Sequence, residues 1–136
     1  MVSREDAAAL HAKAPTAADI RTILRFGRDC FISSKAAPTH LLIHCNAGAS
    51  RSPAAAYAIL CLWLGKNREI QAKDLLLRIK QDVVPNPMVV AYADRLLGRE
   101  GKMLEAIRTL YAELNDDIDR GMAPGEAKPE IQPESQ

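Results

Sequence analysis

Aromatic residues are scarce, at 4% of 136 positions, so any core must be assembled from Leu, Ile, Val and Ala. Neither sign of charge is in excess: 18 Lys and Arg stand against 17 Asp and Glu, a net of +1. That balance argues against binding nucleic acid or an anionic membrane by bulk charge. The longest apolar stretch, Ala54 to Leu64, falls short of the roughly 20 residues that a membrane-spanning helix needs. The opening Met-Val-Ser-Arg-Glu-Asp is polar and leads into no apolar segment, so no secretory leader is expected. The three cysteines, Cys30, Cys45 and Cys61, are an odd number without framework spacing. That argues against a disulfide scaffold and fits free thiols in a reducing, cytoplasmic setting. His44 and Cys45 are adjacent, and neighbours on a strand point to opposite faces, so no zinc site or other metal is expected.

What is present fits one domain. Apolar residues make up 48% and charged residues 26%, ordinary for a globular chain. Residues 1–14 are polar and alanine-rich, with weak periodicity. Thr16 reads as an N-cap, with Asp19 three residues on, opening an amphipathic helix over 17–30 that carries Ile20, Ile23, Leu24 and Gly27. Thr39 to His44 reads as a short strand, apolar enough for burial on both faces, which points to a parallel sheet. Pro53 fits the first position of an almost wholly apolar helix over 53–64, stopped by Gly65. A helix over 67–80 follows, with Ile70, Leu75, Leu76 and Ile79 expected inward. Helices over 88–97 and 99–115 come next, the second carrying Met103, Ile107, Leu110 and Leu114 on one face. Residues 120–136 lack a core-forming pattern and read as a disordered tail. The expected division is therefore a weak segment at 1–14, a folded unit at 15–118 and a tail at 119–136.

The stretch between strand and helix carries the chemistry. Cys45 stands at its front and Arg51 at its back, separated by the five residues Asn46 to Ser50, with Gly48 among them and Ser52 after. A loop of backbone N–H groups ending at a helix N-terminus stabilises a thiolate and encloses an anion. Arg51 supplies a planar fork for two oxygens, and Gly48 lets an anion approach the backbone. Ser52 is placed to hydrogen-bond the thiolate.

The run His44-Cys45-x-x-Gly48-x-Ser50-Arg51-Ser52 resembles the signature of the cysteine-dependent protein tyrosine and dual-specificity phosphatases. Pro85-Asn86 and the segment from Ala91 to Ile107 are similar to the C-terminal part of small bacterial members, and the likeness spans roughly residues 15 to 112. The resemblance implies an α/β fold with a parallel sheet flanked by helices. It implies a hydrolase that acts on phosphotyrosine, with phosphoserine and phosphothreonine as further substrates, through a phosphocysteine on Cys45 and without cofactor. Asn46, Ala47, Gly48, Ala49, Ser50 and Arg51 would hold the phosphate, and Ser52 would stabilise the leaving thiolate. His44 and Asn86 would support the loop. Asp6 is the candidate general acid by order along the chain, ahead of Asp19 and Asp29, which lie on the predicted helix. Its partners would be a phosphorylated protein or a small aryl phosphate. The family carries strands ahead of the one that feeds the loop, so this chain reads as an N-terminally shortened form. The alternative is a non-catalytic phosphate-binding module. A lipid phosphatase is disfavoured because Asn46, Ala47, Ala49 and Ser50 give the loop no Lys. Arsenate reduction lacks a nearby resolving thiol. Tyr92 stands near the place where the family carries a water-positioning Gln. Cys30 and Cys61 read as core thiols, and Asn86 reads equally as a turn residue between two prolines.

Overall fold

The computed structural model of the chain describes residues 14–45 and 50–119. Five helices form among them: α1 (Ala17–Ser34), α2 (Arg51–Leu64), α3 (Glu69–Ile79), α4 (Pro87–Leu97) and α5 (Lys102–Asp119). The Thr16 hydroxyl accepts from Asp19 N–H at 3.2 Å, and the Asp19 carboxylate accepts from Thr16 N–H at 2.9 Å. This reciprocal box opens α1 as the sequence indicates. α1 runs on to Ser34, beyond the expected end, because no Gly or Pro interrupts 30–34. It buries one stripe, Ile20, Leu24 and Gly27.

The core is arranged around α2. Its apolar circumference is satisfied by contact with α1, α3 and α4, while α5 closes the assembly against α3 and α4. Ala54, Tyr57, Ala58 and Cys61 are fully buried along it. Two polar contacts between helices fix its position. The Tyr57 hydroxyl donates to Met103 C=O at 2.8 Å, and Trp63 Nε1–H donates to Gly27 C=O at 2.8 Å. The second is possible because α1 and α2 meet closely at Gly27, where a Cβ would lie 2.9 Å from Ile59 Cγ1.

Buried charge sets the far end. Arg99, 5% exposed, donates to Gly65 C=O (2.7 Å), Cys61 C=O (2.7 Å) and the Glu69 carboxylate (3.1 Å). It therefore satisfies the Gly65 carbonyl just after α2 and adds a second donor to the Cys61 carbonyl, which also accepts from Gly65 N–H at 3.1 Å. Asp94, on α4, accepts from Gly101 N–H at 2.8 Å and Met103 N–H at 3.0 Å, capping the start of α5. Because Glu69 turns toward Arg99, α3 presents Glu69, Ala72 and Leu76 inward. Ile70 and Ile79, expected inward, are 61% and 74% exposed.

The largest correction concerns the sheet. No strand exists among the described residues, so the α/β fold, the parallel sheet and the likeness to the phosphatase family do not hold. Residues 38–45 run without helix or turn. Burial alternates along them: Leu41, Ile43 and Cys45 are half-buried, whereas His40, Leu42 and His44 are exposed. The segment thus has one wet face, not two buried ones. A strand becomes part of a sheet only when a neighbour takes its N–H and C=O groups. Every regular element described here is a helix, whose backbone groups bond internally. The apolar run at 41–43 signalled contact with a core, and that core is helical. The expected segment 1–14 (except its last residue) and tail 119–136 (except its first) lie outside the described residues.

Candidate functional site

α1, the 41–45 segment and the first turns of α2 enclose an open cleft of about 690 Å³. Ile23 and Phe26 of α1 form one wall, Leu41 and Ile43 the second, and Ala55 and Ile59 of α2 the floor. Cys45, Arg51 and Ser52 supply its polar end, and Thr22 and His44 also line it. Among the described residues, no carboxylate lines it.

The polar end is built by the start of α2. The Ser50 carbonyl accepts from Ala54 N–H at 3.2 Å and from Asn86 N–H at 3.0 Å, which ties the helix start to the turn before α4. Asn86 is itself the cap of α4, its side-chain oxygen accepting from Met88 N–H (3.0 Å) and Val89 N–H (3.2 Å). The turn is held from α5 as well, where the Tyr111 hydroxyl donates to Pro85 C=O at 2.7 Å. Burial pushes that hydroxyl's pKa up to about 12, so it remains a donor. Ser50 occupies the N-cap position of α2 without a capping side-chain bond. The backbone N–H groups of Arg51 and Ser52 begin the helix and have no acceptor within it, while Pro53 has none to offer.

Cys45 and Ser52 meet directly, with Sγ 3.3 Å from Oγ. Ser52 is buried, at 8% exposure. Arg51 is exposed and forms no ion pair or hydrogen bond among the described residues. His44 is exposed. Asp6, Asn46, Ala47, Gly48 and Ala49 lie outside the described residues. Of the other two thiols, Cys30 is half-buried on α1. Cys61 is fully buried on α2, its pKa pushed up to about 12, chiefly by burial.

The phosphatase reading falls with the sheet. A phosphate cradle of that type sits between a strand of a parallel sheet and a helix, and the described residues contain no sheet. Among the described residues, the cleft lining also includes no carboxylic acid to protonate a leaving group. Hydrolysis of phosphotyrosine, phosphoserine or phosphothreonine through a phosphocysteine is therefore withdrawn. So are the assignment as a hydrolase and the alternative of a phosphate-binding module built on the same loop. No group of three His, Cys, Asp or Glu is close enough to hold a metal ion among the described residues. No described helix is long and apolar enough to cross a membrane.

Sequence reasoning missed the α1 wall. Phe26 lies off the Ile20–Leu24–Gly27 stripe and is 56% exposed, and an aromatic residue outside the packing stripe was the available signal. It also missed Glu69 and Arg99, thirty positions apart, which no local pattern connects. Comparisons of the chain with protein-family models, curated proteins and solved structures found no match.

Proposed function

We propose that the chain is a non-catalytic binding module for a small amphiphilic anion, a molecule with a flat apolar body and one charged end. The observation that carries this reading is an exposed guanidinium, Arg51, at the end of a cleft with apolar walls; among the described residues it has no partner and the lining includes no carboxylate. The body would pack between Phe26, Ile23 and Ile43. The charged end would meet Arg51, the Ser52 hydroxyl and the first N–H groups of α2, where the helix dipole favours negative charge. Cys45 would be a wall of the site and not a nucleophile.

Magnitudes set the expected strength. A phenyl-sized ligand removing about 100 Å² of apolar surface from water gains roughly 2.5 kcal/mol. A charge-assisted hydrogen bond adds about 1.5–3 kcal/mol. Their sum of roughly 4–5.5 kcal/mol corresponds to a Kd between about 1 mM and 0.1 mM. Calorimetric titration with benzoate, benzenesulfonate and phenylphosphonate tests the reading, with benzyl alcohol as the neutral control. The anions should bind in that range and benzyl alcohol at least tenfold more weakly, and Arg51→Met should weaken the anions by about tenfold, or 1.4 kcal/mol. Equal binding of benzyl alcohol, or anion binding unaltered in Arg51→Met, would refute it.

A further inference from the structure

The segment that walls the cleft carries a second feature in its exposed residues His40, Leu42 and His44, of which Leu42 and His44 also border the open cleft. Read outward from Leu42, its residues match in pairs: Leu41 with Ile43, His40 with His44, and Thr39 with Cys45. The burial pattern matches in the same way over residues 40–44, though not at the outer pair, where Thr39 is exposed and Cys45 half-buried. Leu41 and Ile43 are both half-buried, His40 and His44 are both exposed, and Leu42 at the centre is 85% exposed. No hydrogen bond engages residues 41–44 among the described residues. An extended segment with unsatisfied backbone groups is a template for strand pairing. A segment whose chemistry reads the same in both directions is self-complementary, which is what a two-fold interface requires.

We propose that residues 40–44 pair antiparallel with the same segment of a second copy of this chain, centred on Leu42. In that register residue i faces residue 84 − i of the other copy, by the symmetry about position 42. Leu42 then meets Leu42, and each His40 meets a His44. Opposed side chains in such a pair have Cβ atoms about 4.5–5.5 Å apart. The helices of both copies lie on one face of the two-stranded ribbon. On the other face a His–Leu–His row from each copy lies side by side. Two apolar side chains at the centre thus become covered, and the backbone groups of each segment acquire partners. An interface built on five residues is well below the 1,200–2,000 Å² typical of stable complexes, so the dimer is weak and forms at high protein concentration.

The register gives a test that general stickiness would not pass. Sedimentation velocity of the full chain, from about 10 μM to 1 mM, should show the weight-average mass rising from 14.9 kDa toward twice that value. Leu42→Asp places two carboxylates opposite one another and should hold the mass at the monomer value. In His40→Lys with His44→Lys, every facing pair is Lys against Lys, and dimerisation should fall by tenfold or more. In His40→Glu with His44→Lys, every facing pair is Glu against Lys, and dimerisation should equal or exceed that of the unaltered chain. All three positions of substitution are exposed, so folding is checked by an unchanged helical circular dichroism signal. A monomer throughout the range overturns the proposal. So do a dimer indifferent to Leu42→Asp and equal behaviour of the two histidine double variants.

Discussion

Replacing Arg99 by Met should be among the most damaging single changes to this fold. The guanidinium is 5% exposed and donates to three acceptors: the Gly65 carbonyl just after α2, the Cys61 carbonyl, which Gly65 N–H also reaches, and the Glu69 carboxylate. Met fills much of the volume and restores none of the donors. Breaking a buried ion pair from one side costs about 3–5 kcal/mol, because a desolvated charge is left alone. One contribution runs the other way. Arg99 Nε is buried without a partner, so its removal relieves a small existing cost and the loss should sit toward the lower end. Against a total stability of about 5–15 kcal/mol, that is a large fraction. Glu69→Gln should cost less, about 1–3 kcal/mol, since Arg99 keeps both carbonyls. Glu69→Gln combined with Arg99→Met should cost clearly less than the sum of the two, and the difference measures the coupling.

The same pair gives a pH signature. Burial pushes the Glu69 carboxyl up, but hydrogen bonds from its own and the Asn67 backbone and from Arg99 outweigh it, and the net displacement is downward. A depressed folded value stabilises the protein above the unfolded value of about 4.3. That contribution is lost as pH falls through the folded value. In Arg99→Met the buried carboxyl loses its cation and keeps only its backbone bonds against desolvation, so this contribution should shrink. Urea unfolding followed by circular dichroism between pH 3 and 7 measures both effects, these pH limits bracketing roughly the carboxylate range. A cost below about 1 kcal/mol for Arg99→Met, or strict additivity in the cycle, would refute the argument.

Two further outcomes follow from the packing of α2. Gly27→Ala places a Cβ 2.9 Å from Ile59 Cγ1, inside the core. Overpacking of about 1–3 kcal/mol should outweigh or equal the roughly 1 kcal/mol that Ala gains in helix propensity, for a net loss of up to about 2 kcal/mol. Combining it with Ile59→Ala should cost less than the sum of the two, and additive losses in urea unfolding would show that the contact is not limiting. In the second, Cys61, buried and with its pKa pushed up to about 12, should resist iodoacetamide at pH 8 (roughly the value at which thiols are usually labelled) in the native protein. Half-buried Cys30 should react well before it; peptide mass spectrometry showing Cys61 labelled as fast as Cys30 would contradict the burial.

The helices were legible because their signals are local. The Thr16–Asp19 box, Pro53 at the start of an apolar run, and Gly65 and Gly98 after α2 and α4 are each contained within one turn. The rotation of α3 was not legible, because it depends on Glu69 meeting Arg99 from a distant turn. Hydrophobicity alone favoured Ile70 and Ile79, and a buried charge overrode it. The strand error has a different cause. Leu41-Leu42-Ile43 is β-prone in composition, but a strand is a property of pairing, and no neighbouring strand exists among the described residues. The closeness of Cys45 to Ser52 is encoded in their seven-residue separation around a helix start, yet the chemistry read from that spacing assumed a sheet behind it. The cleft itself joins α1 to residues 15 or more positions downstream, and only the fold puts Phe26 and Arg51 on one cleft.

The central claim is that an amphiphilic anion lies between α1 and the start of α2. Two-dimensional ¹H–¹⁵N NMR during titration with benzenesulfonate tests it most directly. The account predicts saturable shifts concentrated at Ile23, Phe26, Ile43, Cys45, Arg51 and Ser52, lost in Arg51→Met. Shifts concentrated instead around the α3–α5 depression at Lys73, Leu77, Arg78 and Leu110 would contradict it, as would a spectrum that does not change.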